Sequence, residues 1–249
     1  MLSHATIETL RKLNLPGMAE AFREQLEQGD RGLSWEERFG LLVDREWNYR
    51  QNRRLSRLIK EAHFRLPAAL EDIDYTQPRG IDRALMRSLG AGDWIRSHLN
   101  VIVTGPTGSG KTFLVCALGN AACRNGFSTR YYRLSRLLGD LRMARADGSY
   151  PKLLQRLAKI EVLVLDDWGL SNLTSEESRD LLEVMDDRVQ TRATILASQL
   201  PVSEWHGIIS DPTVADAILD RLVHGSHRIE LRGESMRKVR PVRPSEVVQ

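Results

Sequence analysis

Gly105-Pro106-Thr107-Gly108-Ser109-Gly110-Lys111-Thr112 lies between an apolar run, Val101-Ile102-Val103, and a helix-forming stretch that begins at Lys111. Two glycines separated by four residues and followed by Lys and a hydroxyl residue form the phosphate-loop pattern. Glycine lets backbone N–H groups curl around phosphate oxygens without Cβ clashes. The helix that follows turns its positive end toward the same anion. The ammonium of Lys111 is then placed for the β and γ phosphates, and the Thr112 hydroxyl for a magnesium ion. The ligands expected on residues 105–112 are ATP and Mg2+.

Working outward, Val162-Leu163-Val164-Leu165-Asp166-Asp167 puts two carboxylates at the end of four apolar residues. Open α/β sheets bind ligands at such strand ends. Asp166 is expected to hold the metal, and Asp167 to orient or deprotonate an attacking water. Apolar strand-like runs fall at 100–104, 128–134, 160–165, 193–197 and 228–231. Helical patterns fall at 111–125, at 137–145, from the capping box Thr174-Ser175-Glu176-Glu177, and at 213–223. Strands alternating with helices imply an α/β fold, a five-stranded parallel sheet flanked by helices. The first 66 residues read as helices, with a capping box at Ser34-Trp35-Glu36-Glu37 opening a long amphipathic segment. Residues 67–80 hold Pro67, Pro78 and the acidic Glu71, Asp72 and Asp74, and read as a linker. The expected organisation is a helical domain over 1–66, a linker over 67–80 and an ATPase domain with a short basic tail over 81–249.

The 249 residues carry 36 Lys and Arg against 33 Asp and Glu, a net charge of +3. That excess is too small to argue for nucleic acid by itself, so placement decides. Arg50, Arg53, Arg54 and Arg57 fall at i, i+3, i+4 and i+7, and Lys60 extends the row. Trp47, Leu55, Leu58, Ile59 and Ala62 take another face, suited to packing. A dense guanidinium row on a rigid rod suits duplex phosphates; a solvated charged face is the competing reading. No base-reading motif accompanies it, so DNA binding with little sequence preference is expected. Cys116 and Cys123 sit about 10 Å apart along one helix, too far for a disulfide, and suit a reducing cytosol. No run approaches the roughly 20 apolar residues of a membrane span, and a cytoplasmic protein without a membrane partner is expected.

Three further segments carry a resemblance. Leu13-Asn14-Leu15-Pro16-Gly17-Met18-Ala19, Glu71-Asp72-Ile73-Asp74-Tyr75, and residues 211–222 together with 233–238 resemble the IstB/DnaC-like group of AAA+ ATPases, on its IstB side. The resemblance spans nearly the whole chain, and the two C-terminal segments are its most specific part. It implies that Gln199 senses the γ-phosphate and that Arg221 is an arginine finger for a neighbouring subunit's ATP. Arg237 resembles a sensor arginine acting within its own chain. Two departures stand out. Many AAA+ proteins have Glu where this chain has Asp167, and the residues after Leu231 lack an apolar helical stripe. A C-terminal helical lid is therefore expected to be reduced or absent.

The resemblance implies a transposition helper. ATP assembles a homo-oligomer on duplex DNA, with nucleotide sites at subunit interfaces, and the assembly recruits or activates the transposase of the same element. A DnaC-type helicase loader is the alternative. A small-molecule kinase is disfavoured, since Arg221 and the basic row would have no purpose in one.

Overall fold

The computed structural model describes residues 2–29, 32–233 and 235–236. The chain divides into two compact units, Met1–Arg57 and Leu58–Gln249.

The first unit contains α1 (Leu2–Lys12), α2 (Pro16–Gln28) and most of α3 (Trp35–Ala62), which runs through the boundary into the second unit. Ser34 opens α3 with the capping box read from the sequence: Glu37 N–H donates to Ser34 Oγ, and Ser34 N–H to Glu37 Oε2. The packing of α2 on α3 turns on one small residue and one buried acid. A Cβ on Gly17 would lie 2.8 Å from Glu46 Cα, so only glycine permits the approach. The Glu46 carboxylate, 6% exposed, then accepts from the N–H groups of Gly17 (2.8 Å) and Met18 (3.1 Å). It thereby satisfies donors that the first turn of α2 leaves open. Trp47, assigned to a packing face by periodicity, is 63% exposed. It continues an exposed i+4 row, Trp35, Phe39 and Val43, beside the packed face rather than on it.

The second unit opens with the end of α3 and then the segment read as a linker. Ala68 and Ile73 of that segment are buried in the core, and a short 3-10 turn forms at Leu70–Asp72. Two prolines hid a packed segment behind loop-like composition. Helices α4 (Arg83–Ala91) and α5 (Asp93–Arg96) follow, with Asp82 capping α4 through Ala84 N–H. Then come β1 (Val101–Thr104), α6 (Lys111–Arg124), β2 (Thr129–Arg133), α7 (Leu134–Asp147), α8 (Tyr150–Lys159), β3 (Val162–Trp168), α9 (Ser175–Asp186), β4 (Ala193–Ser198), α10 (Pro212–Val223) and β5 (His227–Glu230). The strands form one parallel sheet in the order β2-β3-β4-β1-β5.

Strand alternation explains the two cores. Val162 and Val164 of β3, with Val101, Val103 and Ile195, face a cluster built on α6, α4 and α5. Leu163 and Leu165, with Ile102 and Leu196, face a cluster built on α7, α8, α9 and α10. Side chains of successive residues point to opposite faces, so a continuous apolar strand has to be covered twice. Thr174 and Glu177 complete the second capping box at α9. Helix α8, an apolar stripe of Leu153, Leu154 and Leu157, and the short helices α4 and α5 are additions to the sequence reading.

Burial opposes ionisation of Glu46, but Arg50 and the two backbone N–H groups outweigh it, and its pKa lies below the ordinary 4.5. A carboxylate with a depressed folded-state pKa stabilises above its unfolded value, and that stability is lost as pH falls through the folded one. Glu46→Ala, which strands these donors, is expected to cost on the order of 1–3 kcal/mol, measured by urea unfolding followed through tryptophan fluorescence. Glu46→Gln should lose the part of the acid-side decline below about pH 4.5 that Glu46 is expected to give the wild type.

Candidate active site

Strand β4 lies between β1 and β3, so the chain ends of these three strands meet at one edge of the sheet. The phosphate loop leaves β1, Asp166 and Asp167 sit at the end of β3, and Gln199 directly follows β4. Together they border a cleft of about 350 Å³ lined by Thr107, Gly108, Gly110, Lys111, Thr112, Asp167 and Gln199, among others. A larger cleft of about 670 Å³ between α4 and α6 contains none of the phosphate-loop residues. Chemistry, not size, selects the site.

The loop requires its glycines for two reasons. Gly108 has φ +83°, and a Cβ there would meet the side chain of Ser235. Gly105 has φ +146° and touches the carbonyl of Leu231, 2.5 Å from where a Cβ would stand. Both neighbours follow β5, so the described residues just after that strand pack against the loop; Met236 N–H also donates to Gly108 O at 2.9 Å. Lys111 Nζ donates to the carbonyls of Gly105 (2.6 Å) and Pro106 (2.8 Å). Burial pulls its pKa down, against the pull of Asp166 and Asp167 in the other direction. The ammonium is thus held over the loop by weak acceptors that a phosphate oxygen can replace.

Thr112 Oγ1 donates to Asp166 Oδ2 at 2.8 Å. A hydroxyl and a carboxylate side by side are the hard-oxygen donors that suit magnesium. Asp166 is 1% exposed, and the phenol of Tyr131 donates to the same oxygen at 2.8 Å. Burial and that carboxylate both push the Tyr131 pKa up, so it stays a donor. The ladder between β3 and β4 is irregular between Leu165 and Trp168, and Asp167 has φ +63°. The left-handed backbone is uncommon outside glycine and is tolerated best by residues such as Asp. Asp167 lines the cleft, with Arg65 Nη1 3.7 Å and Arg133 Nε 3.8 Å from its Oδ2. Thr107 Oγ1 donates to Gln199 Oε1 at 2.6 Å, which fixes the amide across the cleft from the β3 carboxylates.

Two cleft arginines have no sequence signal. Arg65 also reaches Asp166 Oδ2 at 3.9 Å, near the buried thiol of Cys116. Burial in turn pushes that thiol up to about 11. Arg79 stands against Gly110. Arg79 lies in the stretch read as a linker, and Arg65 just past the end of α3.

Other expected site residues lie apart from the cleft. Arg221, near the end of α10, pairs with Asp186 and donates to Ala217 O, and it does not line the cleft of its own chain. Arg237 lies outside the described residues, as does any C-terminal lid. Arg50, Arg53, Arg54, Arg57 and Lys60 are all exposed on α3. Arg50 is partly engaged, by Glu46 Oε1 at 2.7 Å and Asn14 O at 3.1 Å.

A family model for the IstB-like ATP binding protein matches residues 8–243. The chain belongs to that family. A Sinorhizobium fredii protein named as an insertion sequence ATP-binding protein, y4pL, is 49% identical over 239 residues, 96% of this chain and 98% of its own length. A Mycobacterium tuberculosis protein named as an ATP-binding protein in an insertion sequence is 35% identical, with 92% of each chain covered. Crystal structures of DnaI (TM-score 0.57, 19% identity, 68% of this chain and 96% of that one) and of the DnaC helicase loader (TM-score 0.55, 16%, 66% and 97%) share the fold. The IstB-family chain is therefore an ATP-binding ATPase with the P-loop AAA+ core fold. Among the described residues no helix is long and apolar enough to cross a membrane.

Lys111→Ala removes the ammonium that the loop carbonyls hold over the phosphate position. The variant should lose ATP binding by at least about tenfold, since hydrogen bonds to charged groups each contribute on the order of 1.5–3 kcal/mol. Titration with a fluorescent ATP analogue measures it; wild-type affinity would place the nucleotide elsewhere.

Proposed function

We propose that this ATPase is a DNA-transposition helper: ATP-driven assembly of copies of the chain on duplex DNA recruits or activates the transposase of the same element. The observation that carries the reading is the exposed basic row on α3, in a chain whose full-length relatives are named for insertion sequences. Those relatives favour this reading over a helicase loader, because the likeness to DnaC and DnaI is one of fold.

In this reading the main-chain N–H groups of residues 105–112, Pro106 apart, and the Lys111 ammonium hold the phosphates, and Thr112 and Asp166 would hold Mg2+. The metal supplies neutralisation of charge on the β and γ phosphates. Asp167 accepts a proton from, or orients, the attacking water, with Gln199 hydrogen-bonding it from the other side. Arg221 exchanges Asp186 for the ATP of a neighbouring subunit, and Arg237 contacts phosphate within its own chain. A finger supplied in trans makes hydrolysis depend on assembly and is worth about 10³–10⁵ in rate. Arg50, Arg53, Arg54, Arg57 and Lys60 contact the duplex backbone.

Arg221→Ala should bind ATP normally and hydrolyse it poorly, and Asp167→Asn should do the same. Mixtures of the two should recover part of the lost turnover, because some interfaces then pair an intact finger with an intact Asp167. Absence of recovery in subunits shown to co-assemble would count against action in trans.

Each phosphate contact releases counterions, so the logarithm of DNA affinity should fall with log salt by about 0.9 per contact. Replacing Arg50, Arg53, Arg54 and Arg57 by Ala should weaken binding to every duplex about equally and flatten that slope, while DNA-free ATP hydrolysis survives. A salt titration with and without ATP reads both. An unchanged slope and affinity would make the row a solvated face, and tighter binding to single strands than to duplex would favour the loader.

A further inference from the structure

Arg79 is a buried cation that feels the Asp74 carboxylate at a distance but makes no ion pair with an acid among the described residues. It is 9% exposed, and its Nε has no hydrogen-bond partner among the described residues. Its Nη2 donates to the main-chain carbonyl of Asp74 at 2.5 Å. The Asp74 carboxylate is otherwise used, since Oδ1 accepts from Thr76 N–H (2.9 Å) and Thr76 Oγ1 (2.6 Å). No carboxylate lies within 4.0 Å of the guanidinium among the described residues. A buried charge left this way costs free energy, and such groups are ordinarily paired.

The position is built. Arg79 O accepts from Arg232 N–H at 2.9 Å, just past β5. Gly80, at φ +78°, passes so close to Glu230 O that a Cβ would stand 2.8 Å from it. With its backbone fixed on the β5 edge, the side chain reaches the start of α6. Nη1 lies 3.1 Å from where a Cβ on Gly110 would stand, and Arg79 shares the cleft with Lys111 and Thr112. The helix start is 14 residues of α6 directed at the same place.

We propose that Arg79 is a phosphate-binding residue of the nucleotide site, its unpaired guanidinium completing the cradle of residues 105–112 within the same chain. The missing partner of the buried cation is an anion, and the anion that this cleft receives is the nucleotide's phosphate chain. A planar fork of N–H donors suits phosphate oxygens better than a point charge does. The inference rests on nucleotide occupying the cleft beside Lys111.

The test compares Arg79→Met and Arg79→Lys with the wild type. Affinities for ATP, ADP and inorganic tripolyphosphate are measured by competition, and the melting temperature is measured without nucleotide. Arg79→Met, an apolar chain of similar reach, should bind all three ligands about 10- to 100-fold more weakly. Its nucleotide-free melting temperature should not fall, because an uncompensated charge has left the interior. Arg79→Lys should lie between the two in affinity. A lower melting temperature with wild-type affinities would make Arg79 a structural residue and overturn the proposal. Weaker ATP and ADP binding with unchanged tripolyphosphate would overturn it as well, by moving the contact to the nucleoside. If Arg79→Met does not fold, the wild type decides: the Arg79 Nε–H resonance, assigned through Arg79→Lys, should shift when tripolyphosphate is added, and no shift overturns the proposal. Lys111→Ala tests the underlying reading separately, since normal nucleotide binding there removes the nucleotide from the cleft whatever Arg79 does.

Discussion

Three donors converge on Asp166. The Thr112 hydroxyl and the Tyr131 phenol share Oδ2, and Asp167 N–H takes Oδ1 at 2.9 Å. Almost no solvent reaches this carboxylate, so its charge is carried by hydrogen bonds and by Arg65 nearby. Thr112 belongs to α6, Tyr131 to β2 and Asp167 to β3. The same contacts that make a buried acid tolerable therefore fix the start of the phosphate-loop helix against two strands. Lys111, one residue away, is half of the balance. Desolvation weakens its proton affinity, and the two β3 carboxylates restore part of it.

That arrangement is possible because of how the sheet is covered. Small and β-branched side chains on one face of β1, β3 and β4 pack with α6, and Ile102 and the leucines of the opposite face pack with α7 to α10. Gly119 on α6 leaves room for the ring of Phe64, since a Cβ there would stand 2.5 Å from it. Phe64 precedes Arg65, so the packing that seats α6 also brings an arginine to the carboxylates.

The sheet, its helices and the phosphate loop were legible because each has a local cause. Period-2 burial on both faces makes β3 a continuous apolar run, capping boxes mark α3 and α9, and the glycines of residues 105–112 have no better use. Asp166 and Asp167 were legible as a strand-end pair, but the break in the β3 ladder and the left-handed Asp167 were not. They arise from pairing with β4, far away in sequence. Residues 67–80 misled for a related reason. Their prolines and acids look like solvent-exposed chain, whereas Ala68 and Ile73 are buried by partners that periodicity within so short a segment does not reveal. Arg65 and Arg79 were invisible because a lone arginine in irregular chain has no pattern, and only the tertiary approach to the loop gives it meaning. Trp47 was misplaced because a helix this long has more than one apolar row, and spacing does not say which row has a partner.

Within one chain the cleft has Lys111, Arg65 and Arg79 for cations, yet Arg221 is elsewhere, paired with Asp186. Arg65 is occupied by the two carboxylates and Arg79 stands beside Gly110, the residue before Lys111. The side of the cleft at Gln199 and Asp167 has acceptors and an amide but no unengaged cation among the described residues. In the proposed reading, a single copy binds nucleotide more fully than it hydrolyses it. If Arg221 acts in trans, as proposed, the shortfall is what ties turnover to assembly: binding needs only this chain's residues, and the transition-state charge waits for a neighbour.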